Sequence, residues 1–387
     1  MQLFLFGLSG LLTMTAWAAE REQAKRLHDR LAGVPPSAAI LDSMEADILA
    51  GDAIAAAYTA MENSAFYNVT LKNYVTPWTN EEQTLFAPLN DYTATVIGMV
   101  RDDVPFNQLL SINRFYVGNP SLGLTPYAMT NNDHYEELEA SGVSLKDELV
   151  SVQQSDVTTL PADATAGVAT SRANAEAFMR DGTNRAQFRF TILNQLCTDL
   201  EQIKDNTRSF DRITQDASRS PGGDSRIFFN SCAGCHTGMD PMNQAFAYYD
   251  YDTSAERIDY NGVGTIDPDT NERVQGKYRI NADNFKDGYI VIDDNWVNYW
   301  RAGPNSLLGW DNSLPGRGFG PKSLGEELAN SDAFASCQVK KSFQTVCFRA
   351  PGNSADRAQI ETMTTSFKGA YNMKQVFAEA AVYCMGD

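Results

Sequence analysis

Residues Phe228–Pro241 read FFNSCAGCHTGMDP: Cys232 and Cys235 stand three positions apart and His236 follows at once. Several chemistries use such a run. A c-type haem is attached by two thioether bonds, and the C-x-x-C-H spacing sets both sulfurs along one porphyrin edge with the histidine in reach of the iron. A structural zinc site needs four N or S ligands, and the chain has no second CxxC and no HxxxH. A thioredoxin-like dithiol needs its CxxC at a helix start in a βαβ pattern, and the flanks show no strand–helix–strand alternation. A plain structural pair of cysteines is the remaining alternative. The haem reading makes Cys232 and Cys235 the covalent attachment points of one haem c and His236 the proximal iron ligand. Ala233 and Gly234, both small, let the turn lie flat against a macrocycle.

The second axial position is open from sequence. Methionine there raises the potential, histidine lowers it, and a free position allows ligand chemistry. Met239 and Met242 sit too near His236 to cross to the other face, and Met363 and Met373 fall on apolar helix faces, where core packing is expected. Met385 is a further downstream candidate. Of the other two histidines, His28 lies in KRLHDR and reads as solvated, while His134 in NNDHYEELE is a candidate distal ligand or a surface cap residue. Phe228, Phe229, Phe246, Tyr248 and Tyr249 are expected to wall a haem pocket, or to be ordinary core, or both.

Beyond the motif, CAGCHTGMDPMNQAFAYYDYD resembles the C-x-x-C-H-x-x-x-D-P-x-G-x-A-x-x-x-F-D run of the planctomycete-type cytochromes, secreted proteins assembled from domains of unknown function. The likeness takes in AGVATS (Ala166–Ser171), GTNRAQFRFTILNQLC (Gly182–Cys197), GKYRIN (Gly276–Asn281) and SLGEELANSDAFASCQVKKSF (Ser323–Phe343), and so covers about Pro161 to the end. Asn243 replaces the family's glycine after Asp240-Pro241, and Tyr249 replaces its phenylalanine before Asp250. The resemblance implies a covalent haem c on Cys232 and Cys235 with His236 as ligand, and a redox role outside the cytoplasm. It implies no substrate.

The rest of the 387-residue chain bounds these readings. Its formal charge of -18 argues against nucleic acid, which needs clustered Lys and Arg, and suits a basic or neutral partner or simple solubility. Residues 1–18 read as a secretory signal: the apolar run Leu3–Leu12 is too short to span a bilayer and Ala16-Trp17-Ala18 fits a cleavage site, although no basic residue precedes Arg21. A first core helix is the alternative. No membrane span is expected in the mature chain, and a periplasmic or secreted bacterial location follows. In such an oxidising compartment cysteines are paired or ligated. With Cys232 and Cys235 set aside, Cys197, Cys337, Cys347 and Cys384 remain, with three possible pairings.

The fold class expected is mainly α: a helical N-terminal domain over 19–160 and a helical, loop-rich, cytochrome c-like haem domain over 161–387. Apolar spacing predicts helices through Ala24–Leu31, from Ser37 to Gly51 and over Ala53–Met61, then Tyr92–Val100. Phe66–Thr76, rich in aromatic and β-branched residues, reads as extended. Leu160–Thr170 reads as a connector, Ala173–Asp205 as helix broken at Gly182, and Tyr248–Thr270 as irregular with a hairpin. Ser323–Glu326 has the form of a capping box; Ser331, Asp356 and Asn372 read as caps of the last helices. Asp267–Asn271 starts like a calcium loop, but Glu272 stands in place of its glycine and Tyr278 in place of its bidentate Glu. Asp250, Asp252, Glu256 and Asp259 form an acidic cluster that reads as solvated or as a hard-cation site. Two functions follow: an exported monohaem c-type cytochrome that passes electrons to an unknown redox partner protein, or a haem-dependent, peroxidase-like oxidoreductase with an open distal site. A third is a binding module that uses the haem as an accessory.

Overall fold

The structure, a computed structural model, describes residues 6–279 and 287–386, with side chains for 19–278 and 287–386. The whole of the expected signal segment, 1–18, therefore lies outside the described side chains; its backbone from Phe6 onward is part of the helix Phe6–Ala32. No described helix is long and apolar enough to cross a membrane.

The chain is mainly helical, and its described strands form three two-stranded antiparallel ladders. Local chemistry sets many boundaries. The Ser37 hydroxyl accepts the Ile40 N–H at the start of Ala38–Leu49, Asn90 does the same for Thr93 ahead of Asp91–Arg101, and Ser331 and Asn372 cap Asp332–Cys347 and Met373–Cys384. Gly182, at φ +68°, separates Arg172–Phe178 from Arg185–Leu196. The expected hairpin is Tyr249–Asp252 paired with Arg257–Tyr260, with Tyr249 opposite Tyr260.

Three expectations are corrected. Phe66–Thr76 is helical, beginning as the wide turn Phe66–Leu71. Phe66 and Tyr74 both pack edge-on against Phe377, and that burial overrides their preference for strands. The stretch read as a connector, Leu160–Thr170, packs into the core: Leu160, Ala164, Ala166, Val168 and Thr170 are buried. Ser323 lies inside the helix Gly320–Ala329, its hydroxyl bonded to the Phe319 carbonyl, and forms no capping box. Asn353, not Asp356, is the cap of Ser354–Ala370, and Asp356 completes the box from the first turn.

One apolar cluster runs from Ala24 to Ala381 and draws residues from both sides of position 160. The helices Phe6–Ala32 and Ala53–Met61 both pack on Met373–Cys384, so the two ends of the chain close on each other. Two disulfides, Cys197–Cys337 and Cys347–Cys384, tie Arg185–Leu196 to Asp332–Cys347 and that helix to the last one. They select one of the three pairings open from sequence, and they fit an oxidising compartment.

Candidate functional site on the CxxCH helix

Asp224 caps a helical run that starts at Ser225, widens into a π-turn over Phe228–Cys232 and continues as Ala233–Asn243. Single π-turns inside helices occur often at functional sites. At 100° per residue, Cys232, Cys235 and His236 fall within an arc of about 100°. All three are partly exposed, while Ala233, Gly234, Thr237 and Gly238 are buried. The opposite face explains this orientation. A side chain on Gly238 would meet the Trp300 indole nitrogen at 1.9 Å, and one on Gly234 would meet Asn206 at 2.9 Å. The Gly234 carbonyl also accepts the Asp205 N–H at 2.9 Å, and the Thr237 hydroxyl donates to the Asp205 carbonyl at 2.7 Å. The glycine face is thus clamped to the loop at 205 and to Trp300, which turns the cysteine–histidine face outward.

Cys232 and Cys235 are both free thiols. Cys232 borders a small apolar cluster of Ile213, Ala217, Phe228 and Ala233. Phe210, Phe228 and Phe229 meet beside it in tilted and edge-on contacts, and Phe229 is 52% exposed. Cys235 packs against the main core, its Sγ 3.7 Å from the Leu200 carbonyl, and burial pushes its thiol pKa up. The reactive dithiols of redox proteins have lowered pKa values at free helix starts, whereas here helix precedes the motif. No described thiol bonds to the His236 ring, so the nucleophile–base contact of a cysteine catalyst is missing among the described residues.

His236 Nδ1 lies 3.0 and 3.1 Å from the two carboxylate oxygens of Asp240, one helical turn on. Asp240 is fully buried, and Arg185 grips it with two bonds of 2.9 and 3.1 Å. Arg185 also pairs with Asp216 at 2.5 Å, and the Thr214 N–H donates to Asp240 at 3.2 Å. Burial pushes the Asp240 carboxyl up, but Arg185 and His236 together outweigh it and hold the group well below the usual range. Burial pushes Arg185 down, and Asp240 more than reverses this. Among the described residues His236 Nε2 has no hydrogen-bond partner, so the ring is oriented from behind with its other nitrogen free.

The expectation of a metal-binding site is corrected for side-chain cages: among the described residues no group of three or more His, Cys, Asp or Glu could hold a metal ion. That removes the hard-cation reading of Asp250, Asp252, Glu256 and Asp259. Asp250 pairs instead with Lys277 and Asp259 with Arg257. It also removes the zinc alternative at Cys232, Cys235 and His236. A porphyrin brings four iron ligands of its own, so it asks of the chain two thiols and one imidazole nitrogen. The donor set fits: two unpaired thiols on one helix face, an apolar border and an oriented imidazole. The fit rests on this helix face and not on a large cavity. A polar cleft of about 770 Å³ is lined by Thr79–Glu82, Asn131, Arg172 and Arg180, and none of the three motif residues lines it.

The other histidines are placed against their expected roles. His134 is buried, its Nε2 accepts the Gly118 N–H at 2.9 Å and its Nδ1 lies 2.7 Å from the Thr125 carbonyl. Both nitrogens are used, so His134 is no distal ligand and no surface cap. His28, expected in solvent, is 1% exposed with Nδ1 2.8 Å from the Val34 carbonyl. Met363 and Met373 are core residues, as their spacing indicated. The aromatic wall divides: Phe228 and Phe229 flank Cys232, Phe246 and Tyr249 belong to the main core, and Tyr248 to a third cluster with Tyr278. Sequence reading missed Arg185 and Asp216. Asp240 was visible as a carboxylate four residues after His236 on one helix, but the other two are far away in sequence.

No family model, no curated protein and no solved structure matches this chain.

Proposed function

We propose that this chain is an exported monohaem c-type cytochrome that passes electrons to a redox partner protein, and that the cytochrome c-like part lies around the CxxCH helix. The observation that carries the reading is the split of the cysteines. Four are joined in two disulfides, while Cys232 and Cys235 stay thiols on one helix face beside His236. In a compartment where disulfides form, two neighbouring cysteines held as thiols call for another covalent use. Cys232 and Cys235 would form the thioethers and His236 Nε2 would ligate the iron. A haem held there supplies a one-electron couple.

The chain's own groups do the rest. The Asp240 carboxylate fixes the His236 ring through Nδ1 and leaves Nε2 free. Phe228 and Phe229 place apolar surface beside Cys232, which limits water there. The acidic surface selects a basic partner and speeds encounter. The likeness of the motif to the planctomycete-type cytochromes supports a periplasmic or secreted location, as do the disulfides and the signal-like start.

One observation favours the second reading, a haem-dependent oxidoreductase with an open distal site. His28 and His134 are both buried, each with Nδ1 at a backbone carbonyl and His134 with Nε2 engaged as well, and Met363 and Met373 are core. No distal ligand is thereby assigned among these.

The test is expression in a host with haem-c maturation, a haem stain after denaturing electrophoresis, and the Cys232→Ala/Cys235→Ala control. Stain that survives denaturation and disappears in the control is the expected result. No stain, with a control cytochrome matured in the same host, would overturn the proposal. Low-spin iron inert to cyanide selects the carrier, and high-spin iron that binds cyanide quickly selects the enzyme.

A further inference from the structure

We infer that Asp240 is a positioning residue that lowers the reduction potential at His236, with Arg185 as the group that limits how far. The inference rests on the haem reading and concerns what lies behind the histidine. A ligating histidine gives its other N–H to a carboxylate, a backbone carbonyl or water, and that partner sets ring orientation and ligand basicity. Here the partner is a carboxylate, with Nδ1 3.0 and 3.1 Å from its oxygens. A carboxylate draws the Nδ1 proton more strongly than a neutral carbonyl does, because a hydrogen bond to an ionised acceptor is about twice as strong as a neutral one. The imidazole then carries more negative charge on Nε2 and favours the higher oxidation state of whatever it ligates.

The setting keeps this effect large. Asp240 is fully buried, so water does not screen its charge. The Thr214 N–H holds Oδ2 at 3.2 Å, while Arg185 draws on both oxygens, at 2.9 and 3.1 Å, and so competes with His236 for their charge. The same Arg185 shares its charge with Asp216, at 2.5 Å. Two carboxylates thus face one guanidinium, and Asp240 keeps more of its pull on His236 than a simple one-to-one pair would leave it. Arg185 sits over the Tyr278 ring, 5.2 Å from its centroid. Its position is fixed on that side as well.

The experiment measures midpoint potentials of the matured full-length wild type, Asp240→Asn and Arg185→Lys, after a haem stain and a circular dichroism spectrum of each. Asp240→Asn keeps the shape and offers a neutral acceptor. Its ferric-to-ferrous ratio at a fixed potential should fall about tenfold, an upward shift of about 59 mV for one electron. Should Asp240→Asn fail to fold with haem, Arg185→Lys decides. It keeps the cation but loses the two-point grip, which frees the carboxylate towards His236, and its midpoint should fall. An Asp240→Asn midpoint that stays within a twofold change in that ratio, or moves down as a loosened, wetter site would, overturns the inference. So does an Arg185→Lys midpoint that stays or rises where that variant decides. Wild-type chain without covalent haem would overturn the haem reading itself, and the stain reports that separately from any potential.

Discussion

The CxxCH helix and the closing helices Asp332–Cys347 and Met373–Cys384 use the same residue type in opposite ways. In the closing helices cysteines are buried staples: Cys337 and Cys347 pack in the core and pair with Cys197 and Cys384. On the CxxCH helix Cys232 and Cys235 remain thiols on the partly exposed face, and paired charge is buried behind them. The closing helices are held by apolar area, which is tolerant and non-directional. The CxxCH helix adds to its apolar contacts a set of paired charges, which demand their partners and fix direction. A site that must orient one imidazole nitrogen needs the second kind of support.

Removing the central cation should break the comparison most sharply. Arg185→Ala leaves the buried Asp240 without its main counter-charge, and a loss of about 3–5 kcal/mol in denaturant unfolding is expected. A loss below about 1 kcal/mol would show that the network is solvated and not a structural support.

The disulfides come next. Cys197→Ser/Cys337→Ser, which opens the bridge spanning 140 residues, should cost about 2–4 kcal/mol. Cys347→Ser/Cys384→Ser, with a span of 37, should cost about 1 kcal/mol less on loop entropy. Thermal or urea melts of both double variants check the order.

A smaller effect tests the clamp behind the motif. Gly238→Ala drives a methyl into Trp300, which is fully buried, and overpacking of this kind costs about 1–3 kcal/mol. If the variant is as stable as wild type, Trp300 does not hold the helix face as described.

The finest distinction is in pH. Hydrogen bonds from the Arg349 guanidinium and the Gly352 N–H hold the Asp356 carboxyl below the usual range, against burial. Its contribution is complete above the unfolded carboxylate value of about 3.9 and is lost as pH falls through the lower folded value. Asp91 is the reverse case. Burial raises it, against the N–H groups of Ala173 and Arg172. Its contribution is complete below about 3.9 and is lost as pH rises towards the higher folded value. Unfolding free energies from pH 3 to 7 should therefore show the advantage of wild type over Asp356→Asn shrinking on acidification. Its advantage over Asp91→Asn should shrink on alkalinisation. The same slope for both pairs would contradict these assignments.

The sequence by itself determined what is local. Ser37, Ser331 and Asn372 announce helix starts because a cap bonds to a backbone N–H only two or three residues ahead. Gly182 and the hairpin at 249–260 are legible for the same reason, and so is the grouping of Cys232, Cys235 and His236, which lie within five positions. Only the tertiary structure decided what joins distant segments. Nothing near Cys197 says that its partner is Cys337, and nothing near His236 points to Arg185. Phe66–Thr76 became helix because Phe377 covers it, and His28 and His134 became buried and bonded although their neighbours in sequence are polar. In each case the deciding contact is made by residues brought close only by packing, which local spacing does not encode.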